Sequence, residues 1–397
     1  MSVSARDNTS AAGSTAQQTA AKKARQNTAA GTHLHAGQWV FFGLSVCCLA
    51  LILCNSDTAI SYMGQGLTLC AKTVIPTLFP FMVLSELLVS GGGGEVLGKL
   101  FETPVNRLFD ISGASVCALM MGLVCGFPVG TKTAVSLCRR GLISTKELSR
   151  LICFCNIPSS AFLINAVGVS LFGSRRFGLL LYAICMLAAV LTALLLRLLS
   201  PLPETENGTA PPENASGMTV FTHSVTAAAT AMLYVCAYVI FFSALIGTLG
   251  HLLHTWGVDR TLTAFLFGIF ELSGGVMQAS AIADRTLGQL LAAALCGWSG
   301  VSVHLQILSL CDNLPAPFSF RPYIWSKLLQ GVLCAALFGI VFHLLPTNWL
   351  LPTQSVATST IPANFSEKIV PILNGTFIAC LISVIPIRLC RYLREKR

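Results

Sequence analysis

Long apolar runs recur along this chain, at about 38–54, 66–90, 113–138, 151–172, 177–199, 225–250, 261–283, 288–310, 324–345 and 370–388. A helix of about 20 apolar residues crosses a hydrocarbon core roughly 30 Å thick, and no water-soluble fold has an interior that could absorb so many. The composition agrees: 54% of the 397 residues are hydrophobic and 10% are charged, against about 25% charged in an ordinary soluble domain. The chain reads as an all-α polytopic membrane protein, with the lipid bilayer as its first partner.

Residues 1–37 break this pattern. They are rich in Ser, Thr, Ala, Gln and Asn, bury too little apolar surface to order themselves, and are expected to form a disordered cytoplasmic arm. Arg6, Lys22, Lys23 and Arg25 precede the apolar run Val40–Leu53, as in a signal peptide, yet no small-x-small cleavage pattern follows Cys54 and further spans do. The expectation for 38–65 is an uncleaved first transmembrane helix and its loop. The net charge of +9 lies beside apolar segments, where it reports topology and not nucleic-acid binding. The 16 cysteines form no CxxC pair and read as small packing residues, with no metal or cofactor implied.

Basic residues mark cytoplasmic ends, so the arm and the C-terminal RLCRYLREKR are both expected inside. Lys99 and Arg107 precede 113–138, and Arg139, Arg140, Lys146 and Arg150 follow it. With the cytoplasmic signature on both flanks, this segment is expected to dip into the membrane and return, turning at GFPVGTK (126–132). Irregular backbone at such depth is tolerated where protein or a water-filled cavity surrounds it. Arg175 and Arg176 dissent, because this topology puts them outside.

The pattern then repeats. TVIPTLFPFMVLSELLVSGG (73–92) resembles TAMLYVCAYVIFFSALIGTLG (230–250), and ALMMGLVCGFPVGTK (118–132) resembles AFLFGIFELSGGVMQ (264–278), with Gly122 opposite Gly268. Each half reads as span, hairpin, interrupted span, span. Gate-like repeat 1 covers 66–199 and repeat 2 covers 225–345. A cytoplasmic linker at 200–224 joins them, and an external loop, last helix and basic tail occupy 346–397. The spans between the two starting points invert the second half. About eight transmembrane helices and two re-entrant hairpins result, with both termini cytoplasmic. Inverted repeats with broken helices in matching positions point to a midplane binding site in secondary transporters.

Four polar interruptions fall at corresponding places: GFPVGTK, CNIPSS (155–160), ELSGG (271–275) and GWSGVSVHLQ (297–306). Gly and Pro free backbone groups by breaking the helix, and short polar side chains add donors and acceptors. The candidate solute-binding residues are Gly126, Pro128, Gly130, Lys132, Asn156, Ser159, Ser160, Glu271, Ser273, Gly274, Ser299, Ser302 and Gln306. An ionisable group at membrane depth is a functional candidate by default. Glu271 is expected to bind a cation, relay a proton or make a structural ion pair. Lys132 is expected to pair with Glu271, neutralise an anionic solute, or snorkel to the cytoplasmic surface. Glu86 reads as interfacial and His304 as a core residue. Trp298 stacks on a ring-shaped solute or fills space, and the Ser and Asn residues serve equally well to bond helices together.

Two rival chemistries have partial motifs in the sequence. GFPVGTKT lacks the spacing of the phosphate cradle GxxxxGK[ST]. GWSG with a later histidine has the form of a rhomboid protease, with Ser299 as nucleophile and His343 as base, but the small-residue face expected after that histidine is replaced by Leu344, Leu345 and Pro346.

Taken in order, GFPVGTK, RRGLISTKELSRL, FCNIPSSAFLINAVGVSLFG, FELSGG and GWSGVSVHLQ resemble the YlbJ family of sporulation integral membrane proteins over about residues 60–345. That family carries a nucleoside-recognition (gate) domain, itself similar to parts of concentrative nucleoside transporters. The resemblance implies a multi-pass protein in the cell membrane of a spore-forming bacterium. The expected function is a secondary-transporter-like carrier, not an enzyme, that moves a small solute, nucleoside-like or another metabolite, by alternating access around the two hairpins. Coupling by protons or sodium, and a homo-oligomer, stay open. The alternative is a non-transporting envelope or assembly factor that binds other sporulation membrane proteins, with the rhomboid-like protease third.

Overall fold

The computed structural model describes residues 36–200, 217–312, 314 and 318–344, and every regular element among them is helical. The arm up to residue 35, residues 201–216 of the linker, and everything from 345 onward, including the expected last helix at 370–388, lie outside the described residues.

Helix α1, Ala36–Cys54, forms a unit of its own. From Trp39 to Leu53 nearly all its large apolar side chains are exposed.

In the second unit, α2 (Ser56–Leu69), a π-helical stretch (Cys70–Val74) and α3 (Ile75–Ser90) follow without a break. Gly92, at φ +82°, turns the chain into α4 (Gly93–Phe109), an amphipathic helix that buries Leu100, Phe101, Val105 and Phe109. Then come α5 (Val116–Val124), α6 (Val129–Arg139) and the short α7 (Thr145–Leu151). An irregular stretch leads into a π-helix over Phe162–Leu171, followed by α8 (Arg175–Leu199).

After the linker, α9 (Gly217–Thr255) leads to α10 (Arg260–Phe270), α11 (Leu272–Ser280), α12 (Arg285–Trp298), α13 (Val301–Leu310) and α14 (Arg321–Leu344). The 39 residues of α9 extend about 58 Å, nearly twice a hydrocarbon core. It begins at Gly217, so 217–224, expected in the linker, are helical, and Ser224 is buried.

Helix α14 shows what solvent the fold is built for. Its inward face carries Tyr323, Lys327, Gln330, Gly331, Cys334 and Phe338, while Trp325 is 71% exposed and Val332 66%. A water-soluble helix turns its polar face outward. Here the polar groups are inside and the large apolar ones outside, the polarity of a helix facing lipid. Four helical stretches are long and apolar enough to cross a membrane: α8, α9, α12 with α13, and α14. Two bent pairs raise the number to six. Of the eight spans expected from the sequence, the one at 370–388 lies outside the described residues; among the described residues four to six stretches qualify, Ile75–Ser90 and Phe162–Leu171 being apolar but shorter.

The main core joins α5, α6, α7, the π-helix, α8, α12 and α14 through residues such as Leu137, Leu148, Phe154, Phe177, Leu181 and Phe338. A second cluster packs Met82 of α3 and Val129 of α6 against Ala228, Met232 and Val235 of α9.

Candidate functional site

The two connections between short helices, at 125–128 and at 271, share a glycine-to-glycine crossing. Helices α5 and α6 meet where Gly122 faces Gly130: a Cβ on Gly130 would stand 2.6 Å from the Gly122 Cα. Helices α10 and α11 meet where Gly275 faces Gly268, and a Cβ on Gly275 would lie 2.2 Å from the Gly268 Cα. Side chains at Gly130 and Gly275 would force the arms apart, whereas a Cβ on Gly122 would first meet the Cys155 carbonyl and one on Gly268 the Leu295 side chain.

Each tip rests on a broken helix. In the first half, Gly126 has φ +81° and Phe127–Pro128 is a cis peptide. The Phe127 N–H donates to the Ile157 carbonyl at 2.9 Å, and a Cβ on Gly126 would come within 2.5 Å of the Ser159 nitrogen. In the second half the break is Ser299, at φ +78°, and Gly300, at φ +86°. A Cβ on Gly300 would meet the Leu272 nitrogen at 3.1 Å, and Trp298 Nε1 donates to the Ile269 carbonyl at 3.0 Å. Trp298 therefore holds a tip in place, edge-on to His304.

Glu271 and Lys132 do not pair with each other. The Glu271 carboxylate caps its own helix, Oε1 accepting from the Ser273 N–H at 2.9 Å and Oε2 from the Gly274 N–H at 2.6 Å. Lys132 Nζ lies 2.5 Å from Oε2 of Glu86, and both side chains are buried. Glu86, expected at the interface, is 5% exposed, and its Oε1 accepts from Ser136 Oγ at 2.7 Å. Helical spacing explains the arrangement. Lys132, Ser136 and Arg140 follow one face of α6 into its C-cap, Glu86 and Ser90 share a face of α3, and Arg140 donates to Ser90 Oγ at 2.7 Å.

This polar seam forms one wall of a cleft of about 1130 Å³. Arg139, Arg140 and His223 line it beside the Glu86–Lys132 pair, and Tyr234 and Ser309 come from α9 and α13. Among the described lining residues Glu86 is the one carboxylate, and it is already matched by Lys132.

The other predicted polar residues do not line this cleft. Asn156 is fully buried: Oδ1 accepts from Thr131 at 2.9 Å and Nδ2 donates to the Ile152 carbonyl at 3.0 Å. Ser159 caps the following turn, accepting from the Phe162 N–H at 3.2 Å, and Ser160 begins that turn, half-buried. Ser302 accepts from Gln306 at 3.4 Å within α13. Ser299 Oγ is bonded to the Cys296 carbonyl at 3.5 Å, and His343 is exposed at the end of α14. No hydrogen bond joins the two.

Sequence reasoning missed Lys327. It is 1% exposed on α14 and donates to the Asn156 carbonyl and to Gln330 Oε1. It also missed the clamp at the foot of the first hairpin. There Glu147 Oε1 accepts from the Ser112 N–H, Ser112 Oγ and Ser115 Oγ at 2.6, 2.7 and 2.6 Å, and Arg150 pairs with Asp110 at 2.7 Å. The rule that singled out Glu271, an ionisable group within an apolar run, applies equally to Lys327. Its place close behind Arg321 and Trp325 is where an interfacial lysine is ordinary.

The chain is similar to the sporulation integral membrane protein YlbJ of Bacillus subtilis (strain 168), with 26% identity over 82% of this chain and 87% of the relative. This similarity supports membership of the YlbJ family. It covers most of both proteins, so the cleft, the hairpins and the breaks cannot all fall outside the shared region. No family model matches the chain, and no solved structure matches it. The chain is thus a homologue of a sporulation integral membrane protein, all-helical among its described residues and with four to six candidate spans.

Proposed function

We propose that this protein is a carrier that moves a small solute across a membrane of a sporulating cell by alternating access around its two hairpins. The observation that supports this reading is the matched packing of Gly126 on the break at Ser159 and of Gly300 on the tip at Leu272. Two hairpins seated on two broken helices are what an inverted-repeat carrier uses to expose a site to one side and then the other. In such a carrier the second half is the first turned over, with eight spans in all, as the basic flanks suggest. The sporulation setting comes from the relative's name.

The lining of the cleft favours an anion. Arg139 and Arg140 bring guanidinium groups to a lining whose described carboxylate, Glu86, is engaged by Lys132 and Ser136. Guanidinium groups at the mouth of a low-dielectric cleft attract and orient carboxylate or phosphate groups. Lys132 then lies where the solute would reach the buried pair, and exchange of Glu86 for the solute's own negative charge would release α3 from α6.

Ligand-induced thermal stabilisation of the purified protein tests this reading. Among matched small metabolites, carboxylated or phosphorylated ones are expected to raise the midpoint and neutral analogues are not. Arg139→Gln, a change at an exposed side chain, is expected to weaken the effect about tenfold in concentration, the equivalent of about 1.4 kcal/mol. Stabilisation by neutral nucleosides alone would overturn the anion preference.

A further inference from the structure

The ammonium of Lys327 lies apart from the cleft lining, and the carrier reading gives it no task. It belongs to the inward face of α14, where Tyr323 and Gln330 are its neighbours. Nζ donates to the main-chain carbonyl of Asn156, where helical hydrogen bonding has lapsed, and to Oε1 of Gln330 at 2.8 Å. The amide of Gln330 is held by its own donation, Nε2 to the Cys153 carbonyl at 2.7 Å, which turns Oε1 toward the lysine. The Asn156 side chain is committed to Thr131 and Ile152. Among the described residues no carboxylate forms an ion pair with Lys327.

A charge buried as fully as this one, 1% exposed, costs several kcal/mol unless something answers it. Neutral oxygens answer it here: an unwound main-chain carbonyl and a side-chain amide. Oxygens of this kind coordinate a bare monovalent cation where a membrane helix is broken. A lysine put there for packing alone would gain nothing from its charge, and an apolar side chain of similar length would fill the space as well.

We propose that the junction between the first broken helix and α14 is a monovalent-cation site that the protein fills with its own ammonium, Lys327. The cation is carried covalently and sodium is not bound there. If the carrier reading holds, on which this consequence alone rests, sodium coupling does not arise at this junction. The site itself is tested without any solute, so its failure and the failure of the carrier reading are separable.

The experiment follows thermal unfolding of the full-length protein in detergent, at matched ionic strength, with methylammonium, sodium, choline or tetramethylammonium chloride. The wild type is expected to melt at the same temperature in sodium and choline. Lys327→Ala is expected to melt lower and to recover most of the loss in methylammonium, which supplies a charged donor of the right size, but none in tetramethylammonium, which has no N–H. Equal melting of Lys327→Ala in methylammonium and tetramethylammonium, or a sodium-specific rise in the wild type, would overturn the proposal. Should Lys327→Ala not fold, Lys327→Met keeps the apolar volume of the stem. It is expected to melt well below the wild type, and melting equal to the wild type would overturn the proposal.

Discussion

Buried charge in this protein is handled residue by residue. Glu86 and Lys132 share one short contact, and Ser136 takes up the other carboxylate oxygen. Removing one partner leaves the other charged and desolvated, a loss of about 3–5 kcal/mol, whereas removing both together is much milder. Glu86→Gln should therefore lower the thermal midpoint sharply, and Glu86→Gln combined with Lys132→Met should restore much of it. A double-mutant cycle that shows simple additivity would deny the pair its place. Glycines are equally specific. A Cβ on Gly122 would overlap the Cys155 carbonyl, at 1.7 Å, while one on Gly339 meets nothing within 4 Å. Gly122→Ala should cost at least about 1–3 kcal/mol through overpacking, and Gly339→Ala should be neutral or stabilising by up to about 1 kcal/mol. Comparing their midpoints checks both.

At the scale of elements, the sequence discloses a break more readily than the contacts around it. GFPVGTK, CNIPSS, ELSGG and GWSG announce themselves because Gly, Pro and short polar residues interrupt apolar sequence, and each does interrupt a helix. Glu271 was visible as a charge in the second hairpin, but its task as a cap depends on backbone N–H groups two and three residues on, which any helix start can supply. Glu271→Asp should keep the cap and Glu271→Ala should lose about 1 kcal/mol, read from unfolding midpoints. The pairing of Lys132 with Glu86, not Glu271, depends on how α3 crosses α6. No periodicity along one segment encodes that crossing. Helix α4 was legible in principle, since Leu100, Phe101, Val105 and Phe109 repeat at helical spacing, but it carries no run of spanning length to draw notice. Lys327 faces its oxygens only because α14 packs on a break nearly half the chain away.

For the whole molecule, the membrane setting was legible from composition and run length, and the inward polar face of α14 agrees with it. The flanking charges give a topological prediction: reporters placed at 101–110 and at 139–150 should be modified from the same, cytoplasmic side of intact cells. Labelling from opposite faces would undo the hairpin and the inverted repeat with it. The carrier reading itself is tested most directly by counterflow in proteoliposomes preloaded with unlabelled small carboxylated or phosphorylated metabolites. A carrier of this kind accumulates the labelled anion saturably, with a higher half-saturation concentration in Arg139→Gln. No exchange above protein-free liposomes for any anionic or neutral metabolite, with protein that melts normally, would contradict it.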